Sequence, residues 1–399
     1  MDIFAKCYSF KEAAEARKIG LYPYFIPIED NRGTKVVMNG RELIMIGSNN
    51  YLGLSWDPRV QEASKRAIEK YGTSCSGSRF INGTLTLHEE LETRLARFVN
   101  KEAALCFTTG YQTNLGAISA LVGRGEVILS DRYNHASIMD ATFLASGMTN
   151  KGICLYRYRH NNPAHLEKVL SEIDKEIPKI IVTDGVFSME GDIVKLPELK
   201  RIAASYNARL YLDEAHSLGV IGDSGRGSEE FYGGRDFADL IMGTFSKSFG
   251  SIGGFVAGEA VIIDYIKHFA RPLIFSASMP PANIAAVMAA LEIIEHEPEH
   301  TRRLQAIAAR MITGFKSLGF NVGVAETAVI PLIIGDNDKT FRFWKALFEN
   351  GVYTNPVVSP AVPPDRSLIR TSYMSIHTDA ELEQVLEISS REGKKLGLI

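Results

Sequence analysis

The residues best suited to chemistry follow an apolar run in the middle of the chain. Asp213 ends the run Arg209–Asp213, and His216 comes three positions later. A run of this kind is typical of a buried strand in a parallel sheet, which would carry Asp213 to the carboxyl edge of the sheet. There the carboxylate could pair with a cation, and His216 could bind an oxygen of the same ligand. Taken alone, such a pair is more often an Asp that caps the next turn and a His on the surface.

A lysine follows the next apolar run. Lys247 lies after Leu240–Gly243, 34 residues beyond Asp213, and has Thr244 and Ser246 as near neighbours. A lysine amine that is partly buried or close to other cations has a lowered pKa and can attack a carbonyl. Pyridoxal phosphate offers both partners, because its protonated ring nitrogen suits Asp213 and its aldehyde suits Lys247. The two segments together predict a site for this cofactor, with the two hydroxyls as donors to its phosphate.

Two further segments also follow strand-like runs. Gly110 joins the run Ala104–Thr109 to a predicted helix, and the backbone amides of Tyr111 and its successor would point at an anion such as phosphate. His135 follows Val127–Ser130 and could stack its imidazole on a pyridine ring. An ordinary strand-to-helix turn and a histidine beside an N-cap are the alternatives when each segment stands alone.

The elements that must position these residues alternate between short apolar strands and amphipathic helices. For example, Asn162 and Pro163 are typical of a helix start, and Leu166, Leu170 and Ile173 then share one face. This alternation predicts an α/β fold with a mainly parallel sheet covered on both faces. The runs predicted as its strands are Ala104–Thr109, Val127–Ser130, Lys179–Asp184, Arg209–Asp213, Leu240–Gly243 and Gly254–Gly258.

The C-terminal third has a different order of elements, which predicts a smaller α+β domain. Two long helices are expected there, and the elements predicted after them are a strand at Val329–Ile334, a helix near Lys339–Asn350, a strand at Leu368–Tyr373 and a closing helix from Asp379. The predicted division is an N-terminal segment of residues 1–60, a large cofactor-binding domain of residues 61–281 and a small domain of residues 282–399.

Composition is typical of a soluble globular protein. The chain has 399 residues, 45% of them hydrophobic, and a net charge of −3, so it offers no basic surface for nucleic acid. Its four cysteines are scattered, which argues against a zinc site or a disulfide framework, and we expect no metal. The apolar run Ile284–Leu291 is far shorter than the roughly 20 residues that cross a bilayer. The N-terminus lacks the apolar core of a signal peptide, so we expect a cytoplasmic protein.

Together these segments resemble the α-oxoamine synthase family of pyridoxal phosphate enzymes. The resemblance covers nearly the whole chain, from Ser48–Leu54 through Gly77–Arg79 and Asn82–Thr84 to His377–Thr378. It implies the aspartate aminotransferase-like fold, which is fold type I of the pyridoxal phosphate-dependent transferases. It also implies an acyltransferase that works as a homodimer.

The resemblance gives each candidate residue a role. Lys247 would form the Schiff base, and Asp213 would pair with the ring nitrogen. His216 would contact the phenolic oxygen, and His135 would stack on the ring, so that these four form the catalytic set. The implied cofactor-binding residues are Gly110, Tyr111, His135, Ser188, Asp213, His216, Thr244, Ser246, Lys247 and Ser276, the last reaching across the dimer interface to the partner's phosphate. The implied residues for the amino-acid carboxylate are Asn50 and Arg370, and arginine can bind a carboxylate bidentately.

Members of the family differ in their amino acid and acyl thioester. The segments Gly72–Thr84, Arg271–Met279 and Asn355–Pro363 most resemble members that condense L-serine with palmitoyl-CoA to give 3-ketodihydrosphingosine, CoA and CO2. Members that use glycine with a pimeloyl or acetyl thioester are the alternative, because the cofactor residues do not separate them. The presence of Lys247 argues against a non-catalytic partner subunit. Because a long-chain product must leave into a membrane, we also expect transient peripheral contact with the inner membrane.

Overall fold

The described part of the chain, residues 2–148 and 154–399 of the computed structural model, contains fourteen strands and fifteen α-helices. In chain order the strands are β1 (Asp30–Asn31), β2 (Lys35–Met38), β3 (Arg41–Met45), β4 (Ala103–Phe107), β5 (Val127–Asp131), β6 (Cys154–Tyr158), β7 (Lys179–Asp184), β8 (Ala208–Asp213), β9 (Leu240–Thr244), β10 (Gly254–Gly258), β11 (Val329–Ile333), β12 (Val352–Tyr353), β13 (Asn355–Val357) and β14 (Leu368–Ser372). The helices are α1 (Ala5–Ser9), α2 (Glu12–Lys18), α3 (Pro58–Tyr71), α4 (Thr86–Phe98), α5 (Gly110–Leu121), α6 (Ala136–Met148), α7 (Pro163–Ser171), α8 (Leu196–Ser205), α9 (Ser228–Phe231), α10 (Ala260–Phe269), α11 (Arg271–Ile274), α12 (Pro281–His296), α13 (Glu299–Leu318), α14 (Asn337–Glu349) and α15 (Asp379–Lys395).

Seven strands form one large sheet in the order β4-β10-β9-β8-β7-β5-β6. The pairs from β9 to β6 are parallel, and β10 runs antiparallel to both of its neighbours. The prediction of a mainly parallel sheet is therefore confirmed, and all six predicted strands are present with ends within two residues of those expected. Strand β6 is an addition. It lies at the edge of the sheet, where Arg157 can interrupt the apolar run without being buried.

Both faces of this sheet are covered, because successive side chains of a strand point to opposite sides. Leu210 and Leu212 of β8 pack in one core with α8 and α12, while Tyr211 between them packs in a second core with α5 and α6. A strand buried on both faces favours apolar residues on both of its sides. This explains why the predicted strands are continuous apolar runs.

The helix start predicted at Asn162 and Pro163 is also found. The Asn162 side chain accepts a hydrogen bond from the backbone N–H of His165 at 2.9 Å, and Pro163 opens α7. Asp57 likewise accepts from the backbone N–H of Arg59 at 2.8 Å ahead of α3. These caps satisfy amides that have no partner within the helix.

The C-terminal elements form a separate core around two small sheets. One has the order β11-β14-β13, and the other has the order β1-β2-β3-β12. Val36 and Leu43 of the N-terminal strands pack in this core with Met311 of α13 and Phe343 of α14. Residues 30–45 therefore pack with the C-terminal elements, and the division at residues 60 and 281 stays a prediction.

Helices α12 and α13 differ in length and in apolar character. Helix α13 has 20 residues but carries several arginines, and α12 is apolar but has 16 residues. Within residues 2–148 and 154–399, no helix has both the length and the apolarity that crossing a membrane requires.

Candidate active site

A cavity of about 290 Å³ lies at the carboxyl edge of the large sheet. Strands β4, β5, β7, β8 and β9 all end at this edge, so the residues that follow them meet there. Eight of the predicted site residues line the cavity: Gly110, Tyr111, His135, Asp213, His216, Thr244, Ser246 and Lys247.

Asp213, the last residue of β8, is buried and held from two sides. Its Oδ2 accepts a hydrogen bond from Asn114 Nδ2 at 2.7 Å, and its Oδ1 accepts from the backbone N–H of Ala215 at 2.9 Å. Asn114 also donates to Ser137 Oγ at 2.9 Å and accepts from Tyr211 Oη at 2.9 Å. The carboxylate therefore has a fixed orientation. Asn114 is absent from the predicted site, although a buried Asn in an otherwise apolar part of α5 is a signal of such a role.

Lys247 is half-buried, and its amine makes no hydrogen bond or ion pair to any residue that the structure describes. Burial lowers the pKa of this amine to about 8. The carboxylates of Asp213 and Asp184 oppose this shift, and the guanidinium of Arg370 adds to it. About a tenth of the amine is therefore neutral at pH 7, and the fraction rises with pH, as a nucleophile or base requires.

The two histidines of the cavity differ in their surroundings. His216 is buried, and its Nδ1 lies 2.7 Å from Tyr51 Oη. Burial lowers the pKa of His216 well below its ordinary value, and the neighbouring cations act in the same direction, so the ring is neutral. His135 is exposed, and its Nδ1 lies 2.7 Å from Ser137 Oγ. Its ring packs edge-on to Tyr111 with the ring centres 6.4 Å apart.

The start of α5 forms the end of the cavity that suits an anion. Thr109 caps this helix by accepting from the backbone N–H of Gln112 at 3.1 Å. A Cβ on Gly110 would lie 2.6 Å from Thr244 Oγ1, so glycine is needed for the close approach of α5 to β9. Thr244 Oγ1 and Ser246 Oγ lie 3.0 Å apart. Hydroxyls beside the amides of a helix N-terminus are suited to a phosphate.

Arg370 on β14 is a buried cation. Its Nε donates to the Ser188 carbonyl oxygen at 2.7 Å, and its Nη2 donates to Asn49 Oδ1 at 3.0 Å. No carboxylate among the described residues forms an ion pair with it. A buried guanidinium without a protein anion is suited to the carboxylate of a substrate. Asn50, which was expected to share this role, donates to Ser55 Oγ at 2.8 Å, and its part in binding the carboxylate stays a prediction.

Four predicted residues lie outside the set that lines the cavity: Asn50, Ser188, Ser276 and Arg370. Ser276 Oγ accepts from Gln112 Nε2 at 3.1 Å, close to the start of α5. Asn49 contacts Arg370 and was not predicted. Asn49 and Asn50 are neighbours of the same residue type, so the sequence does not indicate which of them contacts Arg370.

Asp184 is a further cavity residue that was not predicted. It ends β7 and lies opposite Asp213 in the register of the sheet. Its carboxyl is buried, and its Oδ1 has no hydrogen-bond partner among the described residues. Burial raises the pKa of Asp184 well above its ordinary value, and the nearby Asp213 carboxylate adds to this. The position of Asp184 at the end of an apolar run, like that of Asp213, was the signal that could have identified it.

Comparisons with known proteins agree with this geometry. Residues 41–388 match the family described as aminotransferase class I and II. The chain is 49% identical over 378 residues to a serine palmitoyltransferase from Sphingobacterium spiritivorum, covering 95% of this chain and 93% of that protein. It is 41% identical over 390 residues to an 8-amino-7-oxononanoate synthase from Treponema denticola, covering 98% of this chain and 97% of that protein.

A solved structure shows the same similarity. The chain matches a variant of serine palmitoyltransferase from S. paucimobilis, solved with a bound PLP–myriocin aldimine, with a TM-score of 0.95, 35% identity and coverage of 100% of both chains. The chain belongs to the aminotransferase class I and II family and, within it, to the α-oxoamine synthases. The predicted fold, aspartate aminotransferase-like fold type I, is therefore confirmed.

Proposed function

We infer that the chain is a pyridoxal phosphate-dependent acyltransferase that condenses L-serine with palmitoyl-CoA and releases CoA and CO2. The product is 3-ketodihydrosphingosine, and the reaction is the first step of sphingolipid synthesis. One observation carries the reaction class: the unpaired amine of Lys247 and the buried carboxylate of Asp213 share one cavity, with the unpaired guanidinium of Arg370 within electrostatic reach. The choice of substrates rests on 49% identity to a serine palmitoyltransferase, against 41% to the glycine-using branch.

The residues of the cavity fit pyridoxal phosphate at each of its functional groups. The start of α5, with Gly110 and the hydroxyls of Thr244 and Ser246, suits the phosphate. Asp213 suits the protonated ring nitrogen, because its carboxylate is buried and oriented. Lys247 suits the aldehyde, because its amine has no other partner among the described residues. We propose that these residues bind the cofactor.

The residues then have the following roles in the reaction. When bound, the cofactor supplies a carbonyl that links to the amino acid and a protonated ring that accepts the electron pair of its Cα. Lys247 takes the Cα proton with its neutral amine and, once the acyl group has joined and CO2 has left, returns a proton to the same carbon. Asp213 keeps the proton on the ring nitrogen. His135 would pack against the ring, and neutral His216 would contact its phenolic oxygen.

Arg370 decides which bond of the amino acid reacts. The bond that breaks is the one that stands perpendicular to the plane of the cofactor ring, so holding the carboxylate selects between loss of the proton and loss of CO2. The Arg370 guanidinium is already oriented by the Ser188 carbonyl and by Asn49 Oδ1. The Asn50 amide donates one of its two hydrogens to Ser55 Oγ, so the other can join in this role.

We further propose a homodimer in which Ser276 reaches the phosphate site of the partner subunit. Ser276 lies close to the start of α5 but does not line its own cavity. The Ser276→Ala variant should then bind pyridoxal phosphate more weakly, by about tenfold for one lost charged hydrogen bond. The dissociation constant is measured by fluorescence titration of the apoprotein. Unchanged affinity would contradict the role of Ser276.

We also propose a cytoplasmic location with transient contact to the inner membrane, since the product carries one long chain. Exposed apolar side chains of the N-terminal segment, Ile3, Phe4, Tyr8 and Phe10, support this proposal. Co-sedimentation with phosphatidylethanolamine–phosphatidylglycerol vesicles tests it, with the Phe4→Ser, Phe10→Ser double variant as the control. Binding that does not depend on the two phenylalanines would contradict this mode of contact.

The decisive experiment is a spectral titration of the purified protein with L-serine and with glycine, followed by assays with acyl-CoAs of different length. We expect the cofactor band to respond to serine and turnover to be greatest with the C16 thioester. A response to glycine with turnover only on pimeloyl or acetyl thioester would retain the family and overturn the substrates.

The Lys247→Ala variant is the control for this titration. It should fold, because it removes a buried amine without a protein partner, and it should lack both the absorbance of the lysine–cofactor linkage and turnover. Substantial turnover by this variant would remove the central assignment.

A further inference from the structure

A buried cluster of charges lies beside the active site, outside the residues that line its cavity. His160, in the turn between β6 and α7, lies between two buried carboxylates. Its Nδ1 is 3.1 Å from Asp131 Oδ1, and its Nε2 is 3.2 Å from Asp192 Oδ2. Asp131 ends β5, whereas Asp192 lies in the segment after β7. The imidazole therefore links the end of β5 to the segment that follows the neighbouring strand β7.

Aromatic rings enclose the same imidazole. Tyr133 stacks on it with ring centres 4.4 Å apart and an angle of 24° between the planes. Phe187 meets it edge-on, also at 4.4 Å. Tyr133 belongs to the loop that carries His135, and Phe187 precedes Ser188. The cluster thus connects the loop that carries His135 to the segment whose Ser188 contacts Arg370.

The two carboxylates favour the charged form of His160. Burial alone would lower its pKa, but hydrogen bonding and charge attraction from Asp131 and Asp192 outweigh burial and raise the pKa to about 9. These two are the charged groups that shift it, one from β5 and one from the segment after β7. The contribution of the charged ring is complete below the ordinary pKa of 6.5 and is lost as the pH rises through about 9.

The segment held by His160 reaches the substrate end of the site. Phe187 and Asp192 close a tight loop, in which the Phe187 N–H donates to the Asp192 carbonyl at 3.1 Å and the Gly191 N–H donates to the Phe187 carbonyl at 2.9 Å. At its tip, the Ser188 carbonyl accepts from Arg370 Nε at 2.7 Å. A shift of this loop would therefore move the acceptor that orients the guanidinium.

We propose that the side chain of His160 is a positioning residue that fixes the loop of residues 187–192 and, through the Ser188 carbonyl, the orientation of Arg370 for the carboxylate of the amino-acid substrate. The inference rests on the proposed function only in naming that substrate. It assigns His160 no contact with the substrate or the reacting atoms. Its effect should fall on the binding of the amino acid more than on the chemical step.

The test compares the His160→Asn and His160→Ala holoenzymes with the wild type. We expect both variants to raise KM for serine, about tenfold for alanine because a charged hydrogen bond is lost, and to change kcat less than threefold. Hydrogen–deuterium exchange of residues 185–195 at pH 7 should be faster in both. The His296→Asn variant, which changes an exposed histidine of α12, is the matched control and should show neither effect.

The pH profile separates positioning from a general structural role. In the wild type, KM for serine should rise above about pH 9, and the Asp192→Asn variant, of nearly equal shape, should show that rise at a lower pH because one carboxylate is gone. If His160→Ala does not fold, His160→Asn and Asp192→Asn carry the same test. Unchanged KM in these variants, or a loss confined to kcat, would overturn the proposal. If the wild type instead uses glycine, the substrate assignment fails, while the exchange data and KM for glycine still decide the role of His160.

Discussion

At the residue scale, we expect the protonation of Lys247 to determine when the site can react. Burial lowers the pKa of its amine from 10.5 to about 8 against the pull of two carboxylates. The amine can take the Cα proton of the amino acid only in its neutral form. The fraction of enzyme that can start the reaction therefore rises with pH and levels off above about pH 8.

This predicts the pH dependence of one isolated step. Exchange of the serine Cα hydrogen with D2O, measured by proton NMR without acyl-CoA, should rise about tenfold per pH unit well below pH 8 and then reach a plateau. Measurement without the thioester removes condensation and product release from the observed rate. A rate that is flat between pH 6 and pH 9 would show that another group takes the proton.

Asp213 gives a second prediction at this scale. The Asp213→Asn variant keeps the shape of the side chain but loses the charge that would hold a proton on the ring nitrogen under the proposed function, while Asn114 can still contact it. We expect the cofactor to stay bound and the exchange of the serine Cα hydrogen to fall by about 100-fold, the usual size of a lost electrostatic contribution. Near-normal exchange with full cofactor occupancy would contradict the pairing of Asp213 with the ring.

At the element scale, the close approach of α5 to β9 forms the end of the cavity that we propose binds the phosphate. A Cβ at Gly110 would lie 2.6 Å from Thr244 Oγ1, so Gly110→Ala must push the helix start away from the strand. We expect about a tenfold loss of affinity for pyridoxal phosphate, the size of one lost charged hydrogen bond. Affinity is measured by titration of the apoprotein.

The control for Gly110→Ala is Gly147→Ala. Gly147 also lies in a helix, α6, but a Cβ there would have no atom within 4 Å. This variant should bind the cofactor normally and gain up to about 1 kcal/mol of stability, because alanine favours a helix over glycine. Equal affinities of the two alanine variants would show that the close approach at Gly110 is unimportant.

How far the sequence could predict the site depends on how each residue is positioned. Asp213, Lys247 and His135 follow parallel strands, and strand ends can be recognised from apolar runs alone. Asn49 touches Arg370 across 321 positions of sequence, and nothing local distinguishes it from Asn50. Asn114 reaches Asp213 from the middle of a helix, where its direction depends on packing. Asn49 and Asn114, which long-range packing positions, were therefore missed, and Asp184 was missed although it ends a parallel strand.

The same distinction applies to the fold. Strands β5 and β7 to β9 are buried on both faces, so their composition identifies them. Strand β6 lies at the sheet edge and tolerates Arg157. Strands β2 and β3 pack against Met311 of α13 and Phe343 of α14, near the other end of the chain. No local sequence pattern indicates this long-range contact.

At the scale of the whole molecule, the surface around Ser276 is unusually apolar for one exposed to water. Phe275 is 74% exposed, Ile81 is 82% exposed, and the two segments are joined by a hydrogen bond from the Ser278 N–H to the Gly77 carbonyl at 2.9 Å. Large exposed apolar side chains that lie together mark an interaction surface. A second copy of the chain would cover them and bring its own Ser276 to the cavity.

Phe275→Asp tests this arrangement, because a buried charge without a partner would oppose association. We expect the wild type to have twice the mass of one chain by light scattering, and the variant to dissociate and bind pyridoxal phosphate at least tenfold more weakly, since Ser276 of the partner subunit would be withdrawn. Val324→Asp, which places the same charge at a residue 60% exposed before β11, should remain a dimer with normal affinity. If the variant dissociates but binds the cofactor normally, the interface is correct and Ser276 does not contact the phosphate. If the variant remains a dimer, the interface lies elsewhere on the molecule.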